Sequence, residues 1–148
     1  MSKDTRSLLA LTLYCALAAA LFGLGTNVYS FRSAYEELGR EPLLFFAREI
    51  VYVALAIVLV VKGGWRGVLA SIAMTIGATA AEWLLLPAAY TWAAAGDPGG
   101  YGGRFVNFEW PSYVSWATLD VAGVGVASTL AQGLRLMASV NPRGPRDE

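Results

Sequence analysis

The sequence predicts an all-α protein, a single polytopic integral membrane bundle of four transmembrane helices over 1–148. Three observations carry that expectation. Of 148 residues, 56% are apolar and only 15% are charged. The charges are bunched, so that stretches long enough to cross a bilayer carry almost none. The breaks between those stretches divide the chain into four. A water-soluble domain of this size needs a charged surface that such a composition hardly provides.

A hydrocarbon core of about 30 Å takes roughly 20 helical residues at about 1.5 Å each. The first span is expected over 7–31, which is uncharged. Lys3 and Arg6 precede it, as they would precede a cleaved signal, but the apolar run continues through Phe22, Leu24 and Val28. That length suits a spanning helix better than a signal's apolar stretch of about 7–15 residues. The second span, 43–61, follows Pro42 and is interrupted by Arg48 and Glu49. The third, 67–90, carries Glu82 and is expected to end near Pro87. The fourth, 112–134, carries Asp120, and the tail from about 138 to 148, with Pro142 and Pro145, is expected to be disordered.

Short loops rich in Lys and Arg stay in the cytoplasm. With four spans, the N-terminus, the middle loop and the tail share Lys3, Arg6, Lys62, Arg66, Arg135, Arg143 and Arg146, against Arg32, Arg40 and Arg104 opposite. Both termini are therefore expected to be cytoplasmic in a multi-pass protein of the cell membrane. Aromatic side chains fit the same frame. Trp65 marks the inner interface, while Tyr29, Phe31, Tyr90, Trp92, Trp110 and Trp116 are among those crowding the outer one.

Several function classes fall away. Eleven basic residues balance eleven acidic ones, which leaves no basic footprint for nucleic acid. With no histidine, His-ligated metals and haem and every Ser-His or Cys-His catalytic pair are excluded. The single Cys15 excludes an intrachain disulfide. The Gly-rich loop from Gly96 to Arg104 lacks phosphate-loop spacing and reads as a linker. No catalytic set, metal site or cofactor is expected, and the lipid bilayer is the one assured partner.

In lipid, helices associate by close contact and interhelical hydrogen bonds, because the solvent itself is apolar. Small residues recur at four-residue steps as Cys15, Ala19, Gly23 and Asn27 in the first span. Ala73, Gly77 and Ala81 do so in the third, and Gly123, Ala127 and Ala131 in the fourth. These rows are expected to form tight helix contacts, within the chain or between chains, and leucine at Gly123 or Ala127 is expected to overpack one.

The intramembrane charges are the candidate site. A charge at a spanning helix's centre costs at least about 2.5–3.5 kcal/mol on insertion scales. Counted from the expected helix starts, Arg48, Glu49, Glu82 and Asp120 lie at one level, roughly 8–12 Å below the outer surface. Asp120 precedes Gly123 and Ala127 by three and seven positions and so is expected to share their face. Glu82 continues a polar stripe of Ser71, Thr75 and Thr79. Arg48 shares a face with Tyr52; Glu49 diverges from Arg48 by about 100° and is expected to be a poor partner for it. One arginine against three carboxyls leaves two excess negative charges, so a proton or a cation should be held there.

Three functions fit these residues. One is a small non-catalytic membrane protein, a homo-oligomer or an accessory subunit of a membrane complex. Another is a cation- or proton-linked transporter or channel using Arg48, Glu49, Glu82 and Asp120, with a water path along Thr75 and Thr79. The third is a membrane-embedded lipid-modifying enzyme with Glu82 or Asp120 as metal ligand or base.

Overall fold

The computed structural model describes residues 3–35, 41–95 and 110–140, with side chains over 3–29, 46–89 and 117–140. Apart from Gly64, the described residues are all helical: α1 (Lys3–Tyr35), α2 (Glu41–Gly63), α3 (Trp65–Ala95) and α4 (Trp110–Val140). Three of them, α1, α3 and α4, are long and apolar enough to cross a membrane. This is a polytopic membrane protein. The 23 residues of α2 would also reach across, at about 34 Å, but its described part carries Arg48, Glu49 and Lys62. The Gly-rich loop, most of the outer aromatic residues and the tail beyond Val140 lie outside the described residues.

Each helix is longer than the uncharged stretch inside it. Proline was expected to end the third span, yet α3 runs through Pro87 to Ala95. A proline costs one backbone hydrogen bond and a local bend, which neighbouring helices in a bundle can absorb. Likewise α4 continues to Val140, so residues 138–140 are helical rather than part of a loose tail. The turn between α2 and α3 is a single residue. Gly64 adopts φ +56°, and its N–H donates to the Val60 carbonyl at 2.8 Å, closing α2 in the left-handed manner that glycine permits. Gly67 is required by proximity instead, because a Cβ there would strike the backbone of Leu59 and Val60.

The four helices do not form a square. Helices α2 and α3 make a central pair; α1 lies against both on one flank and α4 against both on the other. No contact links α1 to α4 among the described residues. The helices alternate in direction. Leu8 of α1 faces Gly63, and Arg135 of α4 donates to the Val60 carbonyl at 3.3 Å. The beginning of α1, the α2–α3 turn and the end of α4 thus share one end of the bundle.

Two apolar clusters fill the interior. Ala19, Ala20, Tyr52, Ala56, Ala78 and Val124 form one. Cys15, Leu59 and Met74 form the other, nearer the α2–α3 turn. Apart from Leu59 and Leu86, many leucines point outward instead, from Leu9, Leu13 and Leu17 on α1 to Leu119, Leu130 and Leu134 on α4. Polar side chains inside and large aliphatic ones outside is the distribution expected of a bundle dissolved in lipid.

Two of the expected small-residue rows make no tight contact within the chain. Gly77 and Gly123 face open space, with nothing within 4 Å of a Cβ built on either. Ala127 is only half-buried. On α3 the buried row is Ser71, Thr75, Thr79 and Glu82, which lies opposite Gly77. On α4 it is Asp120, Val124, Ser128 and Gln132, at strict four-residue steps. The Glu82 and Asp120 carboxyls and the Gln132 amide would have no partner in lipid, whereas a glycine turned to lipid loses little, so the rows that carry them take the inside.

Candidate functional site

Arg48, Glu49, Glu82 and Asp120 come together in one centre between α2, α3 and α4, and α1 closes it from the far flank. Three of the four are withdrawn from the surface: Arg48 is 7% exposed, Glu82 0% and Asp120 2%. The Glu49 side chain remains 27% exposed.

The guanidinium of Arg48 is the hub. Its Nη2 donates to Glu82, at 3.2 Å to Oε2 and 3.4 Å to Oε1. The same nitrogen lies 2.8 Å from Asp120 Oδ2. Nη1 donates to Glu49 Oε1 at 3.0 Å. The sequence expectation that Arg48 and Glu49 would be poor partners is therefore corrected. Their Cβ directions do diverge, but arginine's long stem lets the planar fork turn back along its own helix. Arg48 also stacks over the Tyr52 ring, one turn on, with its central carbon 4.8 Å from the ring centroid.

Glu82 is the most completely held acid. Besides Arg48 it accepts from the Tyr52 hydroxyl on Oε1 and from Asn27 Nδ2 on Oε2, the latter at 3.2 Å. Gly23 makes room for it: any Cβ at that position would overlap the Glu82 carboxyl. The α1 backbone can therefore close over the centre only where residue 23 has no side chain. Three helices meet at one carboxylate.

Asp120 and Glu49 are held differently. They lie beside different nitrogens of the same guanidinium, Glu49 at Nη1 and Asp120 at Nη2. Asp120 Oδ2, though next to Arg48, has no aligned donor, and Arg48 Nε is likewise without an acceptor. The three acids surround the arginine instead of converging on one point. No set of three Asp, Glu, His or Cys side chains among the described residues could hold a metal ion.

Below the centre, Thr79, Thr75 and Ser71 continue along the buried face of α3. Thr75 donates to the Ser71 carbonyl at 2.9 Å and Ser71 to the Val68 carbonyl at 2.8 Å, so both hydroxyls spend their protons on their own helix. What they present to the interior is acceptor oxygen.

Sequence reasoning passed over two partners. Tyr52 was recognised as sharing a face with Arg48 but not as a donor to Glu82, and Asn27 was grouped with small contact residues. Both were findable, since Tyr52 lies four residues from Arg48 and Asn27 four from Gly23. Gln132 and Ser128 could also have been found by stepping in fours from Asp120.

On the other side of Thr79 an apolar groove of about 490 Å³ opens between α3 and α4. Thr79, Ala80 and Trp83 line one wall, and Ala117, Val121 and Ala122 the other. No protein-family profile, curated protein or solved structure matches this chain.

Proposed function

We propose that the protein is a small non-catalytic integral membrane protein that works as an oligomer of its own chain, with the α3–α4 face as the contact. The observation carrying this reading is the outward turn of small residues around an open groove. Ala73, Gly77 and Ala80 on α3 and Ala122 and Gly123 on α4 are exposed beside it. Small outward residues allow another helix backbone to approach closely, which is the ordinary basis of helix association in lipid. An accessory role in a larger membrane complex would use the same face. The protein lies in the cell membrane with both termini in the cytoplasm, because the end formed by the start of α1, the α2–α3 turn and the end of α4 carries Lys3, Arg6, Lys62, Arg66 and Arg135.

Native mass spectrometry of protein extracted in lipid nanodiscs tests the assembly. Wild type should have a mass of two or more chains, and Ala80→Leu combined with Gly123→Leu should reduce it to one. A wild-type monomer at every protein-to-lipid ratio overturns the reading. For the orientation, Ser2→Cys in a Cys15→Ala background should resist an impermeant thiol reagent in intact cells; ready labelling reverses it.

A second reading, proton- or cation-linked transport, is favoured by the charge excess around Arg48. It requires ion flux through proteoliposomes, which assembly does not.

A further inference from the structure

The α2–α3 turn carries a polar constellation that the Arg48 centre does not use. The first carbonyl that α3 can use is that of Gly64, taken by the Val68 N–H at 3.1 Å. The N–H groups of Trp65, Arg66 and Gly67 therefore open the helix without acceptors in it, which leaves a partial positive charge there. Two side chains of α4 converge on the same place. A Cβ built on Gly64 would lie 3.1 Å from Arg135 Nη1, and 3.7 and 3.8 Å from Nε2 and Oε1 of Gln132. Glycine leaves that cradle open. Arg135 Nη1 covers the Val60 carbonyl at 3.3 Å, and the rest of this exposed side chain keeps its donors. Gln132 is only 4% exposed, and its Oε1 has no hydrogen-bond partner. A buried amide oxygen is costly to leave unpaired, so this one points to a ligand. The charge around the cradle has one sign. Lys62 and Arg66 flank the turn, Lys3 and Arg6 stand at the start of α1, and Asp4 is the single acid at this end among the described residues. Beside the turn, Trp65 and Leu69 face outward one helical turn apart, 57% and 70% exposed.

We infer that the α2–α3 turn binds the headgroup of an anionic phospholipid, with its phosphate held between the start of α3 and Arg135. The phosphate oxygens accept from the first N–H groups of α3 and from the guanidinium. Gln132 Nε2 adds a donor, and Gln132 Oε1 accepts from a headgroup hydroxyl such as that of phosphatidylglycerol. Lys62 and Arg66 supply the surrounding positive field. The occupant is a lipid and not a free anion because the cradle opens beside Trp65 and Leu69, along which an acyl chain can lie. The inference goes beyond the assembly reading and does not depend on it, since the α3–α4 groove lies against residues 117–122 of α4 and the cradle against 132 and 135.

Native mass spectrometry of the full chain in detergent, titrated with phosphatidylglycerol or phosphatidylcholine, counts bound lipids per chain whether the chain is single or assembled. Wild type should hold one phosphatidylglycerol per chain and bind phosphatidylcholine at least roughly tenfold more weakly. Arg135→Gln should lose roughly tenfold in phosphatidylglycerol affinity, and Lys3→Gln, at the same end but on α1, less than about twofold. Equal losses in the two variants, or equal retention of both lipids by wild type, overturn the inference in favour of a diffuse basic surface. Displacement of the lipid by an equal concentration of inorganic phosphate also overturns it, because the site would then serve a soluble anion. Gln132→Met covers the case in which losing Arg135 loosens α4. Without anionic lipid this variant should melt no lower than wild type, since its amide has no partner to lose. Added phosphatidylglycerol should raise the melting temperature of wild type and raise that of Gln132→Met clearly less; an equal rise in both overturns the site.

Discussion

The two flanks of the central α2–α3 pair are built on different physical principles. The α1 flank is closed by small side chains: Cys15, Ala19, Ala20 and Gly23 are buried, and the helix backbone comes close enough that a Cβ at Gly23 has no room. The α4 flank is closed by polar ones. Of its regularly spaced buried row, Asp120, Ser128 and Gln132 are polar and only Val124 is apolar. At one end α4 is tied by Asp120 to Arg48; near the other, by Arg135 to the Val60 carbonyl. The groove opens beside the Asp120 tie, against residues 117–122 of α4. Close contact accumulates many small dispersion gains along a whole helix, whereas a polar link acts at one place and leaves the intervening surface free. The α1 flank is thus the sealed side of the molecule and the α4 flank the adjustable one.

The sharpest way to break this comparison is to remove the hub. Arg48→Leu should be the most damaging single change, because it leaves Glu82 and Asp120 buried without a counter-charge. Losing one partner of a buried ion pair costs about 3–5 kcal/mol. Thermal unfolding in nanodiscs should show a large drop, or the variant should fail to accumulate. Wild-type stability would mean that the acids are all neutral or hydrated, and α4 would then need another anchor.

A smaller effect isolates the sealed flank. Gly23→Ala places a methyl against the Glu82 carboxyl, which three donors hold in place, so α1 must move outward. Overpacking of this kind costs about 1–3 kcal/mol. The smallest effect belongs to the other flank and has the opposite sign. Gly123→Ala meets nothing within its own chain and, in nanodiscs holding a single chain, should stabilise the helix by roughly 0.5–1 kcal/mol through reduced backbone freedom in the unfolded chain. Equal losses at Gly23 and Gly123 in the same unfolding assay would erase the distinction between the flanks.

Much of this was legible in the sequence, and the exceptions share one cause. Long uncharged runs dictated four helices, since a backbone in lipid must satisfy its hydrogen bonds within itself. The same economy could have settled the faces of α3. Gly77 lies two residues from both Thr75 and Thr79, about 200° around the helix, so the glycine row and the hydroxyl row cannot both point inward. Choosing the hydroxyl row follows from the cost of turning Glu82, which continues it, to lipid, and it turns Gly77 outward. On α4, a three-residue step from Asp120 led to Gly123, whereas the four-residue step leads to Val124, Ser128 and Gln132. Helix geometry allows both steps, and only the position of the neighbouring helices selects one.

The sequence by itself determined the class of the molecule, the number of its helices and the identity of its four unusual charges, because these depend on composition and on the length of a bilayer. Only the tertiary structure decided how those charges are shared. Periodicity fixes where a side chain leaves its helix, but arginine's stem can bend, and Arg48 reaches Glu49 on its own helix, Glu82 on α3 and Asp120 on α4. Which carboxyl is completed by neutral donors depends on where Asn27 and Tyr52 arrive from α1 and α2. That arrival is a property of how helix pairs seat against one another, and no single helix contains it.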